Sequence, residues 1–429
     1  MQYIESVKVD GSWSFSGMCR AQTSYLTHGY HKYPAKFIPQ LAARLIKENS
    51  EVKDLVCDPF MGSGTTLVES IINDRRTYGT DINPVAVMIT KAKTNPICPR
   101  YLEDKISVLK DEIKQLFRDE NRQAILSKRY DKFKAVFPEN NRISYWFPEK
   151  QKHDLEIILS WIMTNFDENL RNFLLCAFSN SLKGCSRWMT KSVKPTIDKN
   201  KVISDAYSSF LLHIQKMLRK NKQFWNMFDG KKIDCTIDNV DARRIRLNDD
   251  SVSLIVTSPP YVTSYDYGDL HQLTAIWLGY AKNLSEFRNK FIGSIQKAEL
   301  TNIRLYSNIG KTIVDKLRKI DKREANGVEQ YFFDMQQCFE EMYRILKVGG
   351  RTSIVIGDTD HKKVKINNAY VFAETMEKIG FKICNIIKRP ILSRTLPLTR
   401  DEKTGRFVAR IKSDRLSYPF EYILIMTKS

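Results

Sequence analysis

Two short runs of this chain carry more chemistry than folding requires. The first is DPFMGSGTTLVES, which begins at Asp58. Gly62 and Gly64 flank Ser63 between a strand-like run and a helix-like run. Glycine there makes a tight turn and lets the backbone pass close to a ligand. The helix that follows offers free N–H groups at its amino end, which suit a carboxylate or another negative group. Asp81 closes the next strand, where a carboxylate bonds ribose hydroxyls in nucleotide-binding βαβ units. Leu67 stands where a dinucleotide fingerprint has its third glycine, and there is no G-K-[ST] phosphate loop. The set fits an adenosine-bearing ligand with no pyrophosphate. S-adenosylmethionine has the ribose, the adenine and the amino-acid tail for it.

The second run is SLIVTSPPYVTSYDY, from Ser253. Leu254 to Thr257 read as a buried strand. Ser258, Pro259, Pro260 and Tyr261 then end it, because proline cannot continue a central strand. An ordinary turn would use Gly, Asn or Asp. This one suits a flat, amine-bearing substrate. Tyr261 can stack on a base that has left its helix. The Ser258 hydroxyl and the Pro259 carbonyl can accept hydrogen bonds from an exocyclic NH₂. Two such acceptors favour a more tetrahedral nitrogen with its lone pair aimed at a sulfonium methyl, which is positioning plus electrostatics. The locked φ of the prolines fixes the direction of the carbonyl. Tyr265, Asp266, Tyr267 and His271, just downstream, are candidates for the base pocket.

Elements that would position these residues follow from the pattern around them. DLVCDPF predicts a strand ending at Asp58, GTTLVESIIND a helix starting after Gly64, and RTYGTDINP a strand ending near Asp81. That is a βαβ unit and implies a parallel sheet. Ligands bind beyond the carboxyl ends of such strands, so both runs should face one crevice. From about Tyr101 to Asp234 the texture is helical, and residues 99–235 are expected to form a mostly helical insertion. The core is expected over 1–98 and 236–429, with a second, basic insert over 281–328. QYFFDMQQCFEEMYRILKVGG predicts an amphipathic helix stopped by Gly349 and Gly350, followed by the buried strand RTSIVIGD. FKICNIIKRPIL and FEYILIMTK predict a terminal antiparallel pair.

Taken together, DPFMGSGTT and TSPPY resemble the cofactor and catalytic motifs of the DNA amino-methyltransferases, which modify N4 of cytosine or N6 of adenine. The resemblance covers roughly residues 25–98 and 236–360 and leaves out the helical insertion. It implies an α/β, Rossmann-like, S-adenosylmethionine-dependent fold with a mostly parallel sheet. It implies cofactor contacts from Tyr33, Pro34, Ala35, Lys36 and Phe37 in HGYHKYPAKF, and from Asp241 in VDARRI. It also assigns cofactor contacts to Asp58, Pro59, Phe60, Gly62, Ser63, Gly64, Thr65 and Thr66, and to Asp81, Ile82 and Asn83. The cofactor motif precedes the catalytic one here, whereas many relatives with DPF-x-GSGTT run the other way. Serine at 258, where others have Asp or Asn, is similar to the N4-cytosine members. The expectation is a cytosine-N4 DNA methyltransferase of a restriction–modification system that flips its base, with a separate restriction endonuclease as partner.

Composition agrees with a polyanionic partner. Lys plus Arg number 69 against 49 Asp plus Glu, a net charge of +20, and 42% of residues are hydrophobic, enough for a real core. The N-terminus has no apolar h-region, and no apolar run is long enough to span a bilayer. Eight cysteines without a C-x-x-C pair suggest neither zinc nor a disulfide framework. A reducing cytoplasm is the expected setting. GDTDH at 357–361 reads as a strand-end loop, since amine methylation needs no metal. His28 and His31 are assigned no role. NRISYWFPEKQ reads as a hinge or a DNA contact. SNSLKGCSRWMTKSVKP, at 179–195, is the first guess for base contacts, against an ordinary interhelical loop.

Three rivals stand beside this expectation. One is the same enzyme acting on adenine N6. A second is an RNA guanine-N2 methyltransferase, although Val262 stands where those relatives have glycine after P-P-Y. The third is a basic DNA-binding module with a dead cofactor fold, against which the intact Asp58, Gly62, Gly64, Asp81, Ser258 and Tyr261 speak. Monomer and homodimer both stay open.

Overall fold

The structure is a computed structural model that describes residues 2–34, 36, 38–118, 141–165, 167–228, 233–262, 267–293, 303–391, 399–400, 407–408 and 419–429. Its centre is a seven-stranded sheet built from β1 (Leu55–Asp58), β2 (Arg76–Thr80), β3 (Cys235–Asp238), β4 (Val252–Thr257), β5 (Leu346–Ile356), β6 (Phe381–Pro390) and β7 (Phe420–Lys428). They lie in the order β3-β2-β1-β4-β5-β7-β6. The first five are parallel neighbours. The expected antiparallel pair is present: β7 runs antiparallel to β6, and also to β5. The fold is thus a Rossmann-like α/β methyltransferase architecture with a mixed sheet.

Strand residues alternate between two faces, because successive Cβ atoms point opposite ways. Val56, Leu254, Val256, Val355, Ile423 and Ile425 pack against helix α1 (Pro39–Asn49) through Leu41, Ala42, Leu45 and Ile46. Their neighbours Cys57, Ile255, Ile354, Ile356, Leu424 and Met426 pack with three later helices. Those are Asn308–Arg318, Lys322–Ile345 and Asn368–Ile379. Around the sheet's cofactor side stand α2 (Thr65–Ile72), after β1, and α3 (Pro84–Thr94), after β2. The segment between β2 and β3 is helical, with α4 (Pro99–Arg118), α5 (Glu149–Asn165), α6 (Glu168–Cys185) and α7 (Ala206–Phe228). These share one apolar cluster with α3 and with α8 (Tyr267–Trp277). Leu273, Ile276, Trp277 and Leu278 are buried in that cluster.

One expectation is corrected. Gly349 and Gly350 do not stop the helix, which ends at Ile345; they lie inside β5. Against β4, Leu346 pairs with Val252 but Arg351 with Leu254, so β5 carries extra residues between them. Gly349 has φ +78° in this bulge, a backbone conformation that glycine adopts without a Cβ penalty. The helix stops because the chain must turn to become the next strand. Among the described residues no helix is long and apolar enough to cross a membrane.

Candidate active site

The register of β1 against β4 brings the two motifs together. Val56 lies opposite Leu254 and Cys57 opposite Ile255, so Asp58 and Ser258 leave neighbouring strand ends. The strand order reverses direction at this pair, which is where α/β sheets bind ligands. The Thr257 hydroxyl donates to Asp58 Oδ1 at 2.6 Å, and the Phe60 N–H to the same oxygen at 3.1 Å. Burial still pushes the Asp58 carboxyl up to about 6, outweighing these bonds. Above the strand ends lies an open cleft. Asp58 to Ser63, Asp81 to Asn83, Asp241, Ser258, Pro260 and Tyr267 all line it.

The cofactor side is rigid. Asp81 accepts the Gly62 N–H through Oδ2 and the Asn83 N–H through Oδ1, both at 2.9 Å. Burial pushes its carboxyl up to about 6 as well. Gly64 adopts φ +71°, and a Cβ there would lie 2.6 Å from Thr90 Cγ2. Thr90 donates to the Gly62 carbonyl at 3.0 Å, and the fully buried Lys93 donates to the Ser63 carbonyl at 2.7 Å. Helix α3 therefore holds the loop from below. Leu67 fills the space above Gly79 of β2, where a Cβ would meet it at 2.7 Å. That contact is a packing reason for leucine at the position of a missing third glycine. Ser63 Oγ and Thr65 Oγ1 are buried at this helix start without a partner among the described residues. Unpaired buried hydroxyls are costly, and both fit the carboxylate of an amino-acid tail. Tyr33 and Lys36 complete this wall, with Lys36 donating to the His28 carbonyl at 2.9 Å. Asp241 lines the cleft while holding Arg243 at 2.6 Å.

On the substrate side, Ser258 and Pro260 line the cleft. Pro259 is buried beneath them. Tyr331 donates to the Pro260 carbonyl at 2.8 Å, so the turn is fixed from both directions. Tyr261 is half-buried and is not a lining residue; its hydroxyl donates to Glu421 of β7 at 3.2 Å. Pro34, Gly64 and Thr66 also lie off the cleft wall. Thr66 instead donates to the Val256 carbonyl at 3.1 Å, stitching α2 to β4. Ala35, Phe37, Tyr265 and Asp266 fall outside the described residues.

Several partners have no local signature. His28 is buried against Glu69 at 2.6 Å, and Tyr25 donates to the same carboxylate. Burial pushes Glu69 up to about 7 and His28 down. His31 meets Ser179 at 2.9 Å. His271 is buried rather than lining the cleft: its Nδ1 accepts from Asn83 at 2.8 Å, and its ring lies 4.7 Å from that of Tyr33. No local spacing pairs these residues, which lie between 41 and 188 positions apart. Lys290 and Ile292 also reach the cleft from the basic insert.

The 179–195 run is not one polar break: Ser179 to Cys185 belong to α6, and Ser179, Ser181 and Cys185 are buried. In NRISYWFPEKQ, Trp146 is buried and stacks on Trp188 at 5.2 Å. Within GDTDH, Thr359–His361 pairs with Val364–Ile366 as a small hairpin, and His361 meets Glu324 at 2.8 Å. Among the described residues no three potential ligands group around a metal position.

The N6/N4 family described as DNA methylase matches residues 2–92 and 252–429. The chain is 28% identical to the Type II methyltransferase M.MvaI of Kocuria varians, over 91% of this chain and 90% of that one. It is 22% identical to the Type II methyltransferase M.MjaII of Methanocaldococcus jannaschii, over 90% and 81%. Among solved structures, a SAM-dependent methyltransferase from Methanosarcina mazei matches at TM-score 0.30 and 9% identity, over 93% and 98%.

Proposed function

Because the chain belongs to the N6/N4 DNA methylase family, and so is a DNA methyltransferase, we propose that it transfers a methyl group from S-adenosylmethionine to N4 of a flipped-out cytosine in double-stranded DNA. The observation that carries the proposal is the meeting of Ser258 with the Asp58–Ser63 loop in one cleft. When bound, S-adenosylmethionine supplies a sulfonium methyl that an amine lone pair can displace.

The chain's own residues do the positioning. Asp81 offers carboxylate oxygens to ribose hydroxyls, and Ser63 and Thr65 offer hydroxyls to the amino-acid tail. Asp241 stands at the adenine side. The Ser258 hydroxyl and the Pro259 carbonyl accept the two hydrogens of the target NH₂, which leaves its lone pair free to attack. One of those protons is lost after the new C–N bond has formed and the C–S bond has broken. Tyr261, tethered by Glu421, backs the turn from behind the cleft wall. Tyr265, Asp266 and Tyr267 frame the base. No covalent enzyme intermediate is needed.

Adenine N6 is the second reading, since adenine presents the same NH₂ to the same acceptors. The names of the similar proteins support a Type II restriction–modification setting, with a separate cognate endonuclease and a cytoplasmic, DNA-associated location. Residues 99–235 would clamp or read the DNA, aided by 281–328. The test is nucleoside mass spectrometry of DNA from a host lacking modification, with the intact protein and with Ser258→Ala. N4-methylcytosine only with the intact protein supports the reading. N6-methyladenine transfers it to adenine, and no modified base overturns it.

A further inference from the structure

Helix α6 does not run out into a loose loop. The next segment doubles back as a tight hairpin: the Met189 N–H donates to the Thr196 carbonyl at 2.8 Å and the Asp198 N–H to the Arg187 carbonyl at 2.9 Å. Trp188 and Ile197 pair across it. The Trp188 indole is buried on Trp146 and donates to the Ser192 carbonyl at 3.2 Å. Lys183 donates to that same carbonyl at 2.7 Å. Lys201 donates to the carbonyls of Lys183, Ser186 and Trp188 at 2.6, 2.8 and 2.8 Å, closing both the helix end and the hairpin base. Two lysines are thus spent on holding the turn's backbone. Lys191 and Lys194 stand exposed at its tip, and their side chains take no part in these bonds.

This tip is joined to the cleft. Lys32 is exposed, and its backbone N–H donates to Asn180 of α6 at 3.2 Å. Burial, and after it the nearby charge of Lys32, disfavours the Lys183 ammonium. Lys32 directly precedes Tyr33, which lines the cleft. Ser179 of α6 bonds both His31 and Thr274 of α8, the helix that begins at Tyr267 on the opposite wall. The helix that carries the hairpin is therefore braced against both sides of the site. Like charges gathered this way repel one another, a cost that a polyanion reverses. A turn already rigid loses little entropy on docking.

Resting on the functional reading above, we propose that the 186–201 hairpin docks on the phosphate backbone of the duplex beside the target base, through Lys191 and Lys194 at its tip and Lys32 toward the cleft. Such contacts fix register and orientation and carry no sequence information. The structure thereby turns a stretch that looks like a base reader into a backbone clamp.

The experiment is a titration of a short fluorescent DNA duplex with the full chain, by anisotropy, over about 50 to 200 mM salt. It compares wild type, Lys191→Gln/Lys194→Gln, and the charge-matched control Lys347→Gln/Lys378→Gln. Lys347 is exposed at the amino end of β5 and Lys378 in the last turn of the helix Asn368–Ile379, just before β6, both away from the cleft. Each lost phosphate contact should lower the slope of log affinity against log salt by about 0.9. The tip variant should lose about 2 in slope and about tenfold or more in affinity near 0.1 M salt. Its S-adenosylmethionine affinity and melting temperature should match wild type. A tip variant with the slope of the control overturns the inference while wild type still binds and methylates. A wild type that holds S-adenosylmethionine but neither binds nor methylates duplex DNA overturns the functional reading, and the inference with it.

Discussion

On the proposed reading, Ser258, Asp81 and Asp58 each carry a distinct signature. Ser258 is the proposed acceptor for the target amine, so Ser258→Ala should lower kcat by about 10²-fold or more, as loss of one preorganised polar contact does. S-adenosylmethionine affinity, measured by calorimetry, should stay within about twofold. Asp81 behaves differently. Its carboxyl lies at about 6, and only the ionised form accepts two ribose hydrogen bonds well. S-adenosylmethionine affinity should therefore weaken as pH falls below about 6, and Asp81→Asn should flatten that profile at a weaker level. Asp58 gives a stability readout with the opposite direction. Its folded value of about 6 lies above the ordinary 3.8, so its contribution to stability is present below pH 3.8 and lost as pH rises through about 6. In the absence of cofactor, thermal melts should show wild type losing stability relative to Asp58→Asn between those values.

At the scale of elements, the strand–loop–helix β1–α2 depends on one glycine more than on any side chain. Gly64→Ala places a Cβ against Thr90 in a left-handed conformation. It should cost about 2–4 kcal/mol in denaturant melts, strain and overpacking together. Trimming Thr90 to alanine in addition should recover only the steric part. Asn83 caps α3 by accepting the Val85 N–H at 3.0 Å. The helix end, the neighbour of Asp81 and the partner of His271 are thus one residue. The strands and helices around both motifs follow directly from the residue pattern, because their periodicity and glycines are local. The end of the helix at Ile345 does not. Gly349 and Gly350 look like a helix stop, but they serve a bulge that exists only because β4 lies alongside.

Across the whole molecule, the sheet closes late in the chain. β7 is inserted between β5 and β6, and Ile423, Leu424 and Met426 are fully buried there. Removing residues 419–429 would open two strand edges and both faces of the core. The truncated protein should be insoluble or unfolded by circular dichroism, although both chemical motifs remain. The same closure brings Glu421 to Tyr261, so a residue of the last strand tethers the Ser258–Tyr261 turn 160 residues earlier.

What this sequence determined alone is the pair of motifs, their order, the βαβ start and the antiparallel finish. Each is written in neighbouring residues: a glycine where the backbone turns, two prolines where a strand must stop, alternation where a sheet is half-buried. The basic character was equally plain, because charge adds up without regard to fold. Tertiary structure decided the rest. Burial set the Asp58 and Asp81 carboxyls near 6. The pairing of β1 with β4 put Asp58 beside Thr257, and α3 supplied Lys93 and Thr90 beneath the loop. The 179–195 stretch shows the limit most clearly. Its polar residues look like a loop in sequence, yet Ser179 and Ser181 are buried in a helix, and Ser179 finds its partners in segments 95 and 148 residues away. Hydrogen-bond partners at that separation leave no period in the chain, so only the packed molecule can reveal them.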